Sequence, residues 1–85
     1  MSINVVVADG HEVVRTGLAA LFKGSGIKIV GEATTARLAL IQTVKHKPDI
    51  VLLEIRLGKA DSFTVLKEIR KKAPKTAVVI LSTYD

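Results

Sequence analysis

Val5-Val6-Val7-Ala8-Asp9 decides how this chain is read: an apolar, β-branched run that ends on a carboxylate. The pattern returns in Ile50-Val51-Leu52-Leu53-Glu54 and, with a hydroxyl in place of the acid, in Val78-Val79-Ile80-Leu81-Ser82. Runs without polar interruption suit strands covered on both faces, as in a parallel sheet. Ligands of an open parallel sheet sit just beyond the carboxyl ends of its strands. If the runs are neighbouring strands, Asp9, Glu54 and Ser82 meet in one crevice, an anionic pocket with a hydroxyl at its rim.

Working outward, strand and helix patterns alternate. Residues 3–8 (INVVVA) read as the first strand. Over 12–23, Val14, Leu18, Leu21 and Phe22 recur at i, i+4, i+7 and i+8, the stripe of an amphipathic helix. Gly24-Ser25-Gly26 stops it. Residues 27–33 (IKIVGEA) alternate like a half-exposed edge strand. Thr34 or Thr35 can cap a helix over 35–46 whose Leu40, Ile41 and Val44 face inward. Lys47-Pro48-Asp49 breaks the pattern, because the residue before a proline disfavours the α conformation. Residues 50–54 form the third strand and 56–62 a loop. Asp61 or Ser62 caps a third helix carrying Leu66, Ile69 and Ala73, Pro74 ends it, and 77–82 form the fourth strand.

The order βαβαβαβ implies right-handed crossovers and a three-layer, doubly wound parallel α/β sheet. At 85 residues the chain holds one domain with one core, and 48% hydrophobic content can fill it. Without cysteine there is no disulfide scaffold, thiolate metal site or cysteine nucleophile. Neither a membrane-length apolar segment nor a signal-peptide pattern is present, so the chain reads as cytoplasmic with no membrane partner. The net charge is +5, and its excess crowds Arg56, Lys59, Lys67, Arg70, Lys71, Lys72 and Lys75 against only Asp61 and Glu68. Phe63 is the one aromatic residue in this stretch, so a solvated helix end is the better reading than a nucleic-acid surface.

Ala8-Asp9-Gly10-His11 with Arg15-Thr16-Gly17-Leu18, Pro48-Asp49 running into Ile50 through Leu57, and Val79 through Asp85 together resemble the receiver domain of two-component response regulators. The likeness is strongest to the NarL/FixJ-like subgroup. It implies a flavodoxin/CheY-like sheet of order 2-1-3-4-5, here cut to 2-1-3-4. It also implies phosphoryl acceptance from a sensor histidine kinase onto an aspartate after the third strand. Mg2+ would be held by an acidic pair after the first strand, the acceptor carboxylate and a backbone carbonyl two residues beyond it. A hydroxyl after the fourth strand and a lysine after the fifth would bind the phosphoryl oxygens.

Carried over residue by residue, the acceptor position is Glu54, the first member of the acidic pair is Asp9, and Gly10 stands where the second acid belongs. Ser82 fits the hydroxyl and the carbonyl of Arg56 the backbone ligand. Gly58 replaces a frequent proline, Ser62 a frequent glycine, and the lysine has no counterpart. The extra methylene of Glu54 pushes its carboxylate roughly 1.5 Å into the phosphoryl space, from bond dimensions. Losing the acid at Gly10 weakens a hard-cation site. The expectation is weak or absent Mg2+ binding, little phosphorylation, and Glu54 acting as a fixed charge that partly imitates the phosphorylated state.

Relative to the family pattern, the receiver domain over 1–85 lacks its final helix, strand and helix. Residues 77–81 (AVVIL) are apolar throughout, as for a strand paired on both sides, and unpaired they present a hydrophobic edge. A homodimer or a domain swap through the fourth strand is expected, and the usual helix-turn-helix would confine DNA binding to a longer parent regulator. No enzymatic turnover is expected. The alternative on the same fold is a phosphorylation-independent interaction module. A phosphatase or nucleotide-binding domain is disfavoured, since Asp9-Gly10-His11-Glu12 is no glycine-rich phosphate loop. His11 could serve as a metal ligand or phospho-carrier, but a lone loop histidine reads better as an exposed or capping residue; His46 reads as a surface residue, and Arg15 as a helix-surface cation within i, i+3 reach of Glu12.

Overall fold

Each apolar run becomes a strand, and the direction in which the chain moves between strands decides which face each helix covers. The computed structural model of the chain describes residues 2–57 and 62–82. Its elements are β1 (Ile3–Ala8), α1 (Glu12–Phe22), β2 (Ile27–Ala33), α2 (Ala36–His46), β3 (Ile50–Glu54), α3 (Ser62–Lys72) and β4 (Ala77–Leu81). All strand pairs are parallel, in the order β2-β1-β3-β4. The expected doubly wound architecture is therefore present, with β2 on one edge as its alternating sequence suggested.

With right-handed crossovers, α1 carries the chain outward from β1 to β2, while α2 and α3 carry it back the other way. That reversal puts α1 on one face and α2 with α3 on the other. The core follows from it. Val6 and Ala8 of β1 and Val51 and Leu53 of β3 face α2 and α3, whose Ala36, Ala39, Val65 and Ile69 close over them with Leu57 and Ala73. Val5 and Val7, alternating with these, are buried on the opposite face.

The helix ends follow local chemistry. Thr35, not Thr34, caps α2: its extended backbone lets Oγ1 accept the Leu38 N–H at 3.1 Å. The helix therefore starts one residue later than expected. Lys47 ends it with a left-handed φ of 43°, one step ahead of Pro48. After α1, Gly24 and Gly26 adopt φ of 78° and 86°, which explains why this turn carries glycines. Asp61 and Gly58 lie outside the described residues. Ser62 is the first residue of α3, and its buried Oγ donates to the Glu54 carbonyl at 3.0 Å, tying the helix to the tip of β3.

Two expected helix faces need correction. In α2 the buried residues are Ala36, Ala39 and Thr43, whereas Leu40 is partly buried, Ile41 is 48% exposed and Val44 is also exposed. The face turned to the sheet carries small residues, and Gly31 of β2 leaves room for the longer Gln42 and His46 side chains: a Cβ there would lie 2.7 Å from Gln42 Oε1 and 3.2 Å from His46 Cδ2. In α1 no residue is fully buried, and Leu21 is 72% exposed. Val14, Leu18 and Phe22 carry the packing, and Leu21 falls off the side of their stripe.

Candidate functional site

The strand order reverses between β1 and β3, and this switch point is where a doubly wound sheet opens a crevice beyond its strand ends. Ala8 registers with Leu53, so the next residues along the two strands, Asp9 and Glu54, stand side by side at the mouth. Both are buried. Gly10 N–H donates to Glu54 Oε1 at 3.4 Å, which shows the longer carboxylate reaching across to the loop after β1. Leu81 registers with Glu54, so Ser82 follows one residue past the fourth strand tip, exposed at the edge of the crevice. Arg56 lies exposed in the turn after β3.

His11 is exposed, as expected, and it also reaches the crevice. It occupies the N-cap position of α1, but its side chain makes no capping bond. Its backbone N–H donates to Asp9 Oδ1 at 2.8 Å, and this tight turn folds the ring back over the crevice. There Nδ1 lies 3.0 Å from Asp9 Oδ1 and 3.5 Å from Glu54 Oε1, although the ring is 64% exposed. The hydrogen bond to Asp9, followed by the negative charges of Glu54 and Asp9, raises the imidazole above its ordinary 6.5. Asp9 Oδ2 is buried without a hydrogen-bond partner among the described residues.

Arg15 departs from its expected role. Its Nη1 donates to the Asp9 carbonyl at 2.7 Å and its Nε pairs with Glu32 Oε1 at 3.2 Å. It thus pins the first turn of α1 to the tips of β1 and β2 instead of pairing with Glu12. The clue in sequence was spacing: a residue six positions past Asp9, on the first turn of the following helix, swings back beside the strand end. By contrast Arg70, Lys71 and Lys72 are exposed in the last turn of α3, as a solvated helix end requires. Lys59, Tyr84 and Asp85 lie outside the described residues.

The comparisons agree with this geometry. The model of the response regulator receiver domain family matches residues 5–85, and the chain belongs to that family. It is 35% identical over 98% of its length to the uncharacterized transcriptional regulatory protein YhcZ of Bacillus subtilis (strain 168). It is 31% identical over 99% of its length to the response regulator protein VraR of Staphylococcus aureus (strain NCTC 8325 / PS 47). The chain covers 39% and 41% of those two proteins. The signal receiver domain of the putative response regulator NarL from Mycobacterium tuberculosis superposes with a TM-score of 0.87 at 33% identity, over 99% of this chain and 68% of that one. The chain is thus a response regulator receiver domain of two-component signalling. No helix among the described residues is long and apolar enough to cross a membrane.

Receiver domains typically hold Mg2+ at an acidic site. Mg2+ demands near-octahedral oxygen ligands. The described donors here are the carboxylates of Asp9 and Glu54 and the imidazole of His11, whose ligand atoms lie within 4.8 Å of one another. Gly10 contributes no carboxylate, so the set fits Mg2+ poorly.

Proposed function

We propose that this domain serves phosphorelay signalling as a receiver whose phosphoacceptor position is filled by Glu54, so that it binds and switches without turnover and is phosphorylated little or not at all. The observation that carries this reading is the placement of the Glu54 carboxylate. It is buried and turned toward Gly10 and His11, which supports an acceptor position already filled by a carboxylate. In-line transfer depends on an acceptor oxygen placed against phosphorus and on cationic neutralisation. Here the acceptor is advanced by a methylene and the metal site lacks an acid. Ser82 is assigned the phosphoryl-binding hydroxyl, and the Arg56 carbonyl the backbone metal ligand, of a site in which Mg2+ binding is weak. Glu54 supplies one permanent charge where a phosphoryl group supplies about −1.5 to −2, so the active state is imitated only in part.

The chain spans about two fifths of its curated relatives, one of them named as a transcriptional regulatory protein. The parent is therefore proposed to be a cytoplasmic transcriptional regulator facing a sensor histidine kinase, with DNA contacted by a domain outside these residues. The alternative, an interaction module independent of phosphorylation, draws on the exposed edge of β4, where Val79 and Ile80 are 43% and 38% exposed. That edge would pair with a second copy or exchange strands with it.

Incubation with a small-molecule phosphodonor and Mg2+, read by intact mass, separates working from degenerate acceptors. The wild-type chain is expected to gain no phosphoryl group, and stoichiometric modification at Glu54 would refute the proposal. A Gly10→Asp, Glu54→Asp double variant is expected to become modified. A Cβ at Gly10 meets nothing closer than the Thr34 carbonyl at 3.9 Å, so the restored acid has room.

A further inference from the structure

At the opposite end of the sheet, where the strands begin, the turn after α2 meets the turn after α3. We infer that the cleft between them is a docking site for an extended acidic peptide segment of a protein partner. The cleft holds about 400 Å3 and is lined by Lys47, Lys72, Ala73, Pro74, Lys75 and Thr76. The five residues of β3, about 16 Å of strand, separate this end from Glu54, so the inference does not depend on the proposed function.

The walls are fixed to each other. Thr76 Oγ1 donates to the Pro48 carbonyl at 2.7 Å, and the Ala77 N–H donates to the Asp49 carbonyl at 2.9 Å. These bonds join the two turns, so a ligand meets a site that needs little ordering. Lys47 supplies a separate observation. It holds a left-handed φ of 43° at the C-cap of α2, a conformation in which glycine is the usual residue because it has no Cβ to clash. A charged side chain held in that strained state at the rim of a cleft indicates a use for the side chain.

Charge and shape then select the occupant. Among the described residues lining the cleft are three lysines and no acid, and the neighbouring Asp49 already accepts the Asn4 N–H through Oδ2 at 2.7 Å. The C-terminal ends of α2 and α3 offset the lysines by only roughly half a charge each. A compact phosphate is best held by helix N-termini or arginine forks, whereas here helix carbonyl ends stand behind lysines. No aromatic ring lines the cleft among the described residues, so a nucleic-acid base has nothing to stack on. Carboxylates on flexible side chains suit ammonium groups at a rim, and an apolar residue between them suits the Ala73 and Pro74 floor.

The test titrates the 85-residue chain with a capped, labelled hexapeptide alternating glutamate and leucine, read by anisotropy and amide spectra. Its glutamine counterpart, inorganic phosphate and an oligothymidylate serve as comparisons. The glutamate peptide is expected to bind with shifts centred on residues 47, 72, 73, 75 and 76, and to weaken as salt is added. Lys47→Gly is expected to weaken it about threefold, the size of one exposed ion pair, without loss of stability in urea, because glycine accepts the left-handed turn. Lys72→Gln with Lys75→Gln is expected to weaken it about tenfold, as two such pairs together, while Lys23→Gln beyond α1 changes nothing. Absence of saturable binding, equal binding of the glutamine peptide, tighter binding of the oligothymidylate, displacement by equimolar phosphate, or shifts confined to the Asp9 and Glu54 crevice would each overturn the inference. Those measurements use the unmodified chain, so they decide even if a variant folds badly.

Discussion

The buried part of β1, Val5 to Ala8, and the outer strand β4, Ala77 to Leu81, are both short aliphatic runs, yet the fold treats them oppositely. Val5, Val6, Val7 and Ala8 are all buried, whereas Val79 and Ile80 of β4 stay well exposed. Composition does not separate them. β1 is bonded to β2 on one side and β3 on the other, and its side chains are buried on both faces. Among the described residues, β4 is bonded to β3 alone. An apolar run thus commits a segment to be a strand, while the number of neighbours decides how much stabilisation that strand supplies.

The contrast breaks most visibly in the middle of the sheet. Leu53→Ala, on β3 beside β1, is expected to cost about 2–5 kcal/mol by cavity formation, against under about 1 kcal/mol for Ile80→Ala, whose side chain is already partly in water. Urea denaturation of the two variants measures the difference, and equal losses would show that β4 is buried in solution. Removing the cap that anchors α2 over the same core, Thr35→Ala, is expected to cost about 1 kcal/mol in the same assay.

Charging the outer edge sharpens the comparison from the other side. Val79→Lys should change stability by well under 1 kcal/mol while suppressing self-association, because lysine blunts an edge as a pairing template. Sedimentation over a range of concentrations checks this. If the wild-type chain is monomeric throughout, edge pairing is not how it assembles.

The smallest effect distinguishes the strand tips. The His11 ring, held by Asp9 and then by Glu54, is expected to titrate above 6.5 in a proton resonance titration. Asp9→Asn should lower that value most, Glu54→Gln less, and Ser82→Ala not at all. The sign follows from linkage: a raised folded-state value means the interaction stabilises fully below about pH 6.5 and is lost as pH rises through the folded value.

Much of this was legible in the residues. The alternation of apolar runs with helical stripes determined the element order, and handedness rules turned it into a doubly wound sheet. Asp9 and Glu54 could be paired because residues at strand ends inherit the register of their strands. The partners of His11 and Arg15 were not legible because they depend on how the chain turns: an Asp9-centred turn brings one ring back over the crevice, and the first turn of α1 brings one guanidinium beside it. The inward face of α2 was misjudged for a related reason. Periodicity ranks residues by hydrophobicity, whereas the face of α2 turned to the sheet carries its small residues, Ala36, Ala39 and Thr43.

The sequence by itself determined the strands, the helices and the two acids at the switch point, since local propensity and period-two or 3.6-residue patterns act within a few residues. Only the tertiary structure decided that α2 presents alanines and that His11 completes the cluster with Asp9 and Glu54. Those outcomes depend on distances between segments far apart in the chain, which no local pattern encodes.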